Sequence, residues 1–341
     1  MQIQETQDQE TYEQLWQEQK LHTLQSWVWG EVKRGEYLPV RLGFMENEQM
    51  LFVISLQVKS LNFPRLKFAY IPKLLLTAGR EQEILNLLST YAKERLHLDF
   101  ILLEFAYQEK DLPQVLKSLA SHPYSIQPKQ TNQIKVPGAD LWLQMKGNYR
   151  RNIKKAEKDG VIILTYTTGS EAIDSFYQVM LEVFQNTKYL ARSKNYFARV
   201  WELLSAEGKA KIFLAKYQEQ IVGGYLVVYD EVGAYELYGG VTRQGRDLEA
   251  GYLLKYQAML DAQKSGKAIY DHWGVAPKLT DGSYERKHEL YNISLFKEGF
   301  GGEYVEFPKV RIVSLNKTKY KFFKLLQKIN QFTIKLRKLF N

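Results

Sequence analysis

Apolar residues alternate with polar ones and with turn signals over residues 26–70, which predicts several short strands. The three candidate strands cover 37–44, 50–58 and 66–72. A helix is predicted next, because Ile84, Leu88 and Tyr91 recur at helical spacing. The continuous apolar run 100–107 then predicts a buried strand. Strands and helices in this mixed order indicate a first domain of α+β or α/β class.

A second cycle of similar elements begins at Asp140. Its predicted helices cover 148–158, 173–184, 196–204 and 249–264, and its predicted strands cover 161–167, 211–217, 221–230, 234–240 and 268–275. The two cycles have comparable size and element order, although no sequence repeat accompanies them. We therefore predict two domains of related, mixed α/β fold.

The segment 314–341 is predicted to form one long amphipathic helix. Its apolar positions follow helical spacing: Phe322, Leu325, Leu326, Ile329, Phe332, Leu336 and Leu339. The segment also holds eight Lys or Arg and no acid, and subtracting these eight from the net charge of +9 leaves +1 for the remaining chain. We expect the apolar face to pack on the first domain, while the Lys face also suits peripheral contact with an anionic membrane.

Composition narrows the class of protein further. A chain of 341 residues with 45% hydrophobic residues is long enough for two folded domains. The absence of cysteine excludes a disulfide scaffold, a thiolate zinc site and a cysteine nucleophile. The first 16 residues are polar and have no apolar core typical of a signal peptide, and no apolar run approaches the ~20 residues of a membrane span. We expect a cytoplasmic protein.

Three segments carry residues suited to chemistry. The first, 24–35, combines two tryptophans with Lys33 before a turn, and a packed helix with Lys33 in solvent is the alternative interpretation. The second, 147–161, is a basic helix that forms either a solvated face or a phosphate-facing surface. The third, 270–307, places Lys297 directly before a glycine-rich turn, which allows close approach to a ligand or simply precedes a final strand.

Together these segments resemble the FemABX family, which builds peptidoglycan interpeptide bridges. The matching blocks, in family order, are QSWVWGEVK, RRNIKKAEKDGV, LYGG followed by AGYLLKY, YDHWG, and FKEGFGGEYVEF. The resemblance covers nearly the whole chain and implies two tandem GNAT-like domains, 1–145 and 146–311, with the C-terminal helix 312–341 completing the first. The span from Tyr196 to Phe213 has no room for the helical hairpin that some members insert, which favours the short members.

The resemblance implies transfer of an amino acid from aminoacyl-tRNA to the side-chain amine of a peptidoglycan-precursor stem peptide. The tRNA is then a co-substrate and no cofactor is needed, while the acceptor is UDP-MurNAc-pentapeptide or its lipid-linked form. Lys297 would stabilise negative charge on the ester oxygen or the tRNA terminus, and Phe296 would shape the pocket. Glu104 would orient or deprotonate the amine. The residues implied to grip the precursor's diphosphate are Lys33, Arg192, Tyr196 and Tyr238.

Two other functions stay open. A CoA-dependent GNAT N-acyltransferase would need a Gln/Arg-x-x-Gly-x-Gly/Ala turn leading into a helix, where backbone N–H groups meet the pyrophosphate. The corresponding segment 242–248 reads TRQGRDL, and its glycine spacing disfavours CoA. The other alternative is a non-catalytic adaptor that uses the basic C-terminal helix as a membrane anchor.

Overall fold

The structure of the protein is a computed structural model that describes residues 1–62, 65–185 and 192–340, with residues 330–340 described by their backbone alone. The chain forms two compact units. The first consists of Met1–Gln19, Leu24–Gln127 and Pro308–Asn341, and the second of Lys20–Thr23 and Pro128–Phe307. Each unit contains one mixed β-sheet with helices, which confirms the predicted fold class.

The secondary structure follows the two predicted cycles. The strands are β1 (Gln2–Glu5), β2 (Leu38–Glu46), β3 (Gln49–Leu61), β4 (Leu66–Leu74), β5 (Phe100–Phe105), β6 (Gln130–Lys135), β7 (Val161–Tyr166), β8 (Ala210–Tyr217), β9 (Gln220–Tyr229), β10 (Gly233–Val241), β11 (Ile269–Gly274), β12 (Glu303–Glu306) and β13 (Arg311–Ser314). The helices are α1 (Gln9–Glu18), α2 (Trp27–Lys33), α3 (Glu81–Glu94), α4 (Gln114–Lys117), α5 (Gly147–Lys158), α6 (Ser170–Gln185), α7 (Lys194–Ala206), α8 (Arg243–Asp247), α9 (Ala250–Lys264), α10 (Tyr291–Glu298) and α11 (Lys317–Phe340).

The first unit is built on a six-stranded sheet in the order β1-β2-β3-β4-β5-β13. Its pairs are antiparallel except β4 with β5, which run parallel on either side of α3 in the chain. All six residues of β5 are buried, as its continuous apolar run predicts. The sheet closes with β13, which pairs with β5 and returns the C-terminal part of the chain to this unit.

The second unit is built on a seven-stranded sheet in the order β12-β6-β11-β10-β9-β8-β7. Strands β10 and β11 are parallel, and helix α9 connects them and packs its apolar residues into the core of this unit. The sequence analysis places residues up to 145 in the first domain, whereas β6 lies inside the second sheet between β12 and β11. Its sequence QTNQIK is mostly polar, so hydrophobic alternation does not reveal this strand.

Helix α11 packs on the first unit, as predicted, but through a different face. Phe323 is 8% exposed, and its ring centroid lies 5.1 Å from that of Phe68 and 4.8 Å from that of Phe100. The apolar positions Phe322 and Leu325, which the sequence analysis assigns to the packed face, are instead 43% and 52% exposed. Of the other predicted positions, Ile329 is 53% exposed and Leu326 is half-buried, while Phe332, Leu336 and Leu339 lie outside the described side chains.

Relative to the prediction, the helix is rotated about its own axis. Tyr320 and Phe323 are three residues apart, and together they face the aromatic cluster at the start of β5. An ion pair adds to this contact, since the Lys319 ammonium lies 3.0 Å from a carboxylate oxygen of Asp99. No helix in the described part of the chain is long and apolar enough to cross a membrane.

Replacing two neighbouring phenylalanines tests which face of α11 is packed. Phe323→Ala should lower the free energy of unfolding by about 3–5 kcal/mol, because a buried aromatic ring is removed. Phe322→Ala, the matched control, should change it by less than about 0.5 kcal/mol. Urea denaturation followed by tryptophan fluorescence measures both values. Equal effects of the two substitutions would contradict the observed orientation of the helix.

Candidate functional site

Lys297 lies in the last turn of α10 and is buried, with 8% of its surface exposed. Its Nζ donates a hydrogen bond of 2.8 Å to the carbonyl of Gly274 at the end of β11. Burial and the nearby Lys255 ammonium together lower the pKa of Lys297 to about 8, although the carboxylates of Glu236 and Asp271 oppose this shift. Lys297 is therefore mainly charged at neutral pH and loses its charge in mildly basic solution.

Phe296, the residue before this lysine, is half-buried in an aromatic cluster. Its ring centroid lies 6.1 Å from Tyr149, 5.0 Å from Tyr252 and 5.2 Å from Phe300. Gly299 allows the cluster to close, because a Cβ at this position would stand 2.0 Å from the Tyr149 ring. The turn after α10 therefore needs this glycine for close packing of the aromatic wall beside Lys297.

Three of the predicted substrate-binding residues come together in the second unit. The Tyr196 and Tyr238 hydroxyls lie 2.8 Å apart, and their rings meet edge to face. The Arg192 guanidinium lies 4.9 Å from the centroid of the Tyr196 ring and is exposed. Ser193 caps the N-terminus of α7 by accepting a hydrogen bond from the Tyr196 N–H, which fixes the start of this helix. A cation and two phenols thus share one surface.

Lys33 belongs to the first unit, at the end of α2. The alternative in which it points into solvent is wrong, since Lys33 is 8% exposed. Its Nζ lies 5.4 Å from the centroid of the Trp29 ring and 3.5 Å from the Glu36 carboxylate. The tryptophan of the WVWGEVK segment therefore forms a cation–π contact with the lysine.

Glu104 also belongs to the first unit and is buried in β5. Its carboxylate accepts hydrogen bonds from the Tyr70 hydroxyl, from the Ile126 N–H at 2.6 Å and from the Gln127 N–H at 3.2 Å. Burial raises its pKa, and these donors oppose that shift. The contacts hold the segment 126–127 against the sheet, which is a structural role for this carboxylate.

A buried ion pair that the sequence analysis did not identify lies beside Phe296. Lys255 on α9 is fully buried, and its Nζ donates to the Glu236 carboxylate and lies 3.3 Å from His272 Nδ1. The same Nζ is 5.7 Å from the centroid of the Phe296 ring. Burial lowers the pKa of Lys255, and Glu236 opposes this shift. The sequence does contain a signal, because AGYLLKYQAML places this lysine on the apolar side of a helix.

Asp271 occupies a scaffold position in β11. It is 1% exposed and accepts hydrogen bonds from the Thr131 hydroxyl, from Gln133 Nε2 at 2.8 Å and from the Trp273 N–H at 2.7 Å. Two of these donors belong to β6, which pairs with β11. The polar residues of β6 are therefore explained by the carboxylate they surround.

Some basic side chains of helix α5 form contacts with nearby residues of the protein. Arg150 donates hydrogen bonds of 3.0–3.3 Å to three main-chain carbonyls in the turn 142–145. Lys155 forms an ion pair of 2.9 Å with Asp159. Lys154 and Lys158 are exposed, so the surface that this helix offers to a phosphate is narrower than its sequence suggests.

Comparison with known proteins identifies the fold. Residues 144–278 match the acetyltransferase (GNAT) domain family, whereas no curated protein sequence matches the chain. The crystal structure of FemX superposes with a TM-score of 0.82 at 17% sequence identity, covering 95% of this chain and 100% of FemX. The C-terminal domain of a putative lysylphosphatidylglycerol synthetase from Agrobacterium fabrum has a TM-score of 0.58 at 13% identity, covering 94% and 95% of the two chains.

A third similar structure is a tandem GNAT protein from the clavulanic acid biosynthesis pathway. Its TM-score is 0.53 at 14% identity, covering 91% of this chain and 96% of that protein. These similarities confirm the prediction of two GNAT-like domains. The chain therefore has a FemX-like fold, and its second unit carries the match to an acyl-transferring domain family.

Breaking the buried ion pair tests its contribution to the second unit. Lys255→Met should lower the free energy of unfolding by about 3–5 kcal/mol, because the Glu236 carboxylate loses its compensating charge. Lys135→Met, which removes one partner of the exposed Lys135–Glu303 pair, is the matched control and should cost less than about 1 kcal/mol.

The double variant Lys255→Met/Glu236→Gln distinguishes the pair from simple packing. It should recover part of the stability lost in Lys255→Met, since no unpaired charge is then buried. Denaturant unfolding of Lys255→Met, Glu236→Gln and the double variant gives the coupling free energy. Strictly additive losses would show that the two side chains act independently.

Proposed function

We propose that the protein is an aminoacyltransferase of the FemABX type, which moves an amino acid from aminoacyl-tRNA to an amine of a peptidoglycan-precursor peptide. The observation that carries this proposal is the buried Lys297 before its glycine-rich turn, in a chain that superposes on FemX over nearly its full length. The GNAT-domain match supports the coarser assignment to acyl transfer. The FKEGFGGEYVEF block contributes the resemblance in sequence.

The proposed reaction needs a group that stabilises negative charge. An amine attacks the aminoacyl ester, and the carbonyl oxygen becomes an oxyanion in the tetrahedral intermediate. The C–O bond to the tRNA then breaks, and the tRNA leaves as a hydroxyl with the proton that the amine releases. A buried ammonium such as Lys297 is suited to this charge, since its interactions are strengthened where water is excluded. The chain contains no cysteine, and we propose direct transfer between the two substrates without a covalent enzyme intermediate. Phe296 would form the wall of the pocket.

The acceptor's diphosphate gives the second part of the proposal. We assign Arg192, Tyr196 and Tyr238 to its binding, because an arginine fork and two phenolic hydroxyls supply donors for phosphate oxygens. Lys33 of the first unit is proposed as a further phosphate ligand, and Glu104 as a residue that orients the acceptor amine. Aminoacyl-tRNA and a nucleotide- or lipid-linked muropeptide are the proposed substrates.

The GNAT fold raises acetyl-CoA as an alternative donor, and segment 242–248 does not fit it. The Gly245 N–H donates to the Thr242 hydroxyl at 3.0 Å, and the Arg243 N–H donates to the Glu182 carboxylate at 2.5 Å. Backbone donors that would face a pyrophosphate are thus engaged by side chains, and one of these side chains is an anion. This arrangement disfavours CoA binding at the start of α8.

A second candidate function is transfer of an amino acid to the headgroup of an anionic phospholipid. The specific observation in its favour is the similarity in fold to the lysylphosphatidylglycerol synthetase domain, which covers 94% of this chain. Both candidates involve acyl transfer and differ in the acceptor, so an acceptor panel separates them.

The assignment is tested with the full chain and a panel of radiolabelled aminoacyl-tRNAs. The acceptors are UDP-linked muropeptide, lipid-linked muropeptide and phosphatidylglycerol, with labelled acetyl-CoA as a parallel donor. We expect label on a muropeptide from one or a few aminoacyl-tRNAs. Label on phosphatidylglycerol alone would support the second candidate. Turnover with acetyl-CoA and none with any aminoacyl-tRNA would overturn both.

The charge on Lys297 gives a pH prediction. Lys297→Ala should lower kcat by about 10²–10³-fold with a smaller change in KM, because the interaction is made with the oxyanion. In the wild type, kcat should fall as pH rises through about 8, since the protonated form is the active one. The kcat of Lys297→Arg should not fall over this pH range, whatever its absolute value, because arginine stays charged.

Lys287→Ala, which removes an exposed lysine of the same unit, is the control and should leave kcat and its pH profile unchanged. A rise in KM alone in Lys297→Ala would identify Lys297 as a residue that binds substrate and transition state equally. A pH profile of Lys297→Arg identical to that of the wild type would assign the pH dependence to another group.

A further inference from the structure

Helix α11 has a second apolar stripe on the side away from the first unit. Phe322 and Leu325 are 43% and 52% exposed, and Ile329 is 53% exposed. Their spacing of three and four residues places them in one row along the helix. The packed side is formed by Tyr320 and Phe323. The exposed stripe is therefore additional to the residues that fix the helix on the protein.

A row of lysines runs beside this stripe. Lys317, Lys321, Lys324 and Lys328 are spaced by four, three and four residues, and all four are exposed. Lys319 is separate from this row, because it pairs with Asp99 on the packed side. The whole segment 314–341 contains no acid, so its exposed surface combines apolar side chains with unopposed positive charge. We call the apolar stripe and this lysine row the outer face of α11.

We propose that the outer face of α11 binds the surface of an anionic membrane. Apolar side chains beside a row of cations match an interfacial helix, whose apolar residues enter the headgroup region while its lysines contact lipid phosphates. The positive charge also distinguishes an anionic membrane from a second copy of the chain as the binding partner of the outer face. A second copy of the chain would bring lysine rows of like charge together in a two-fold contact, which opposes self-association. An anionic bilayer supplies the complementary charge and accepts the apolar stripe at the same time.

This inference goes beyond the proposed function and does not depend on it, because it concerns a surface that includes none of the proposed site residues. It bears on that function in one respect. A protein held at an anionic membrane meets a lipid-linked acceptor, or a phospholipid headgroup, at the surface where either is present. Aminoacyl-tRNA and muropeptide are absent from the experiment below, so failure of either proposal is recognised separately.

The test measures partition of the full chain onto lipid vesicles by co-sedimentation. Vesicles of phosphatidylcholine mixed with phosphatidylglycerol should bind the protein at least about tenfold more strongly than pure phosphatidylcholine, because each lysine near an anionic surface contributes. Added salt should weaken this binding. Phe322→Ser/Leu325→Ser should lower the partition by roughly tenfold or more. Lys321→Glu/Lys328→Glu should lower it by a similar factor on the anionic vesicles.

Matched controls on the second unit separate this face from general effects. Ile162→Ser/Leu279→Ser removes two apolar residues of 54% and 51% exposure, and Lys264→Glu/Lys287→Glu makes the same charge change elsewhere. Both should bind like the wild type. Thermal unfolding followed by circular dichroism shows whether each variant is folded.

Three results would overturn the proposal. The first is equal partition onto the two kinds of vesicle. The second is wild-type partition of a folded Phe322→Ser/Leu325→Ser variant. The third combines two observations: the wild type does not bind vesicles, and it forms a dimer in sedimentation velocity that dissociates in this variant. The outer face would then contact a second copy of the chain. Vesicle binding without any transfer activity would support this inference and count against the proposed function.

Discussion

The second unit is organised around the burial of two ammonium groups. Removing an ammonium from water costs several kcal/mol unless a carboxylate and hydrogen-bond acceptors compensate for it. For Lys255 the compensation is direct, because Glu236 provides the opposite charge and the Tyr225 ring centroid lies 4.7 Å from Nζ. Tyr270 donates a hydrogen bond of 2.8 Å to the same carboxylate and holds it in place. One carboxylate thus fixes the relative positions of α9, β10 and β11, from which the candidate site is built.

This buried network also explains how the sequence blocks of the second unit are related in the structure. LYGG lies on β10 directly after Glu236, AGYLLKY contains Lys255, and YDHWG ends at the Gly274 carbonyl that accepts from Lys297. The parallel pairing of β10 with β11 places the strands that carry LYGG and YDHWG side by side, and α9 between them in the chain carries Lys255. Blocks that look independent in the sequence are therefore coupled through one buried network.

The fold was largely predictable from the sequence because hydrophobic periodicity determines most of its strands and helices. Three features were not, and each depends on a partner elsewhere in the chain. Strand β6 is polar because Thr131 and Gln133 surround the buried Asp271. The rotation of α11 depends on aromatic contacts with distant β5, and both of its sides are apolar, so spacing alone cannot choose between them. Lys255 requires knowledge of Glu236 19 residues earlier in the chain. Arg192, Tyr196 and Tyr238, by contrast, were found through the resemblance and do lie together.

The two buried lysines differ in a way that bears on the proposed reaction. Lys255 has its counter-charge in the folded protein, whereas Lys297 forms no ion pair with any described residue and contacts a neutral carbonyl. Burial lowers the pKa of both lysines, but of the two only Lys255 has a described carboxylate within ion-pair distance. An interaction accelerates a reaction only when it is stronger in the transition state than in the ground state. A fully paired lysine has little to gain from a developing oxyanion, while a buried and under-compensated one gains its missing counter-charge at that moment. In the proposed reaction, Lys255 would stabilise the unit and Lys297 would act on the substrate.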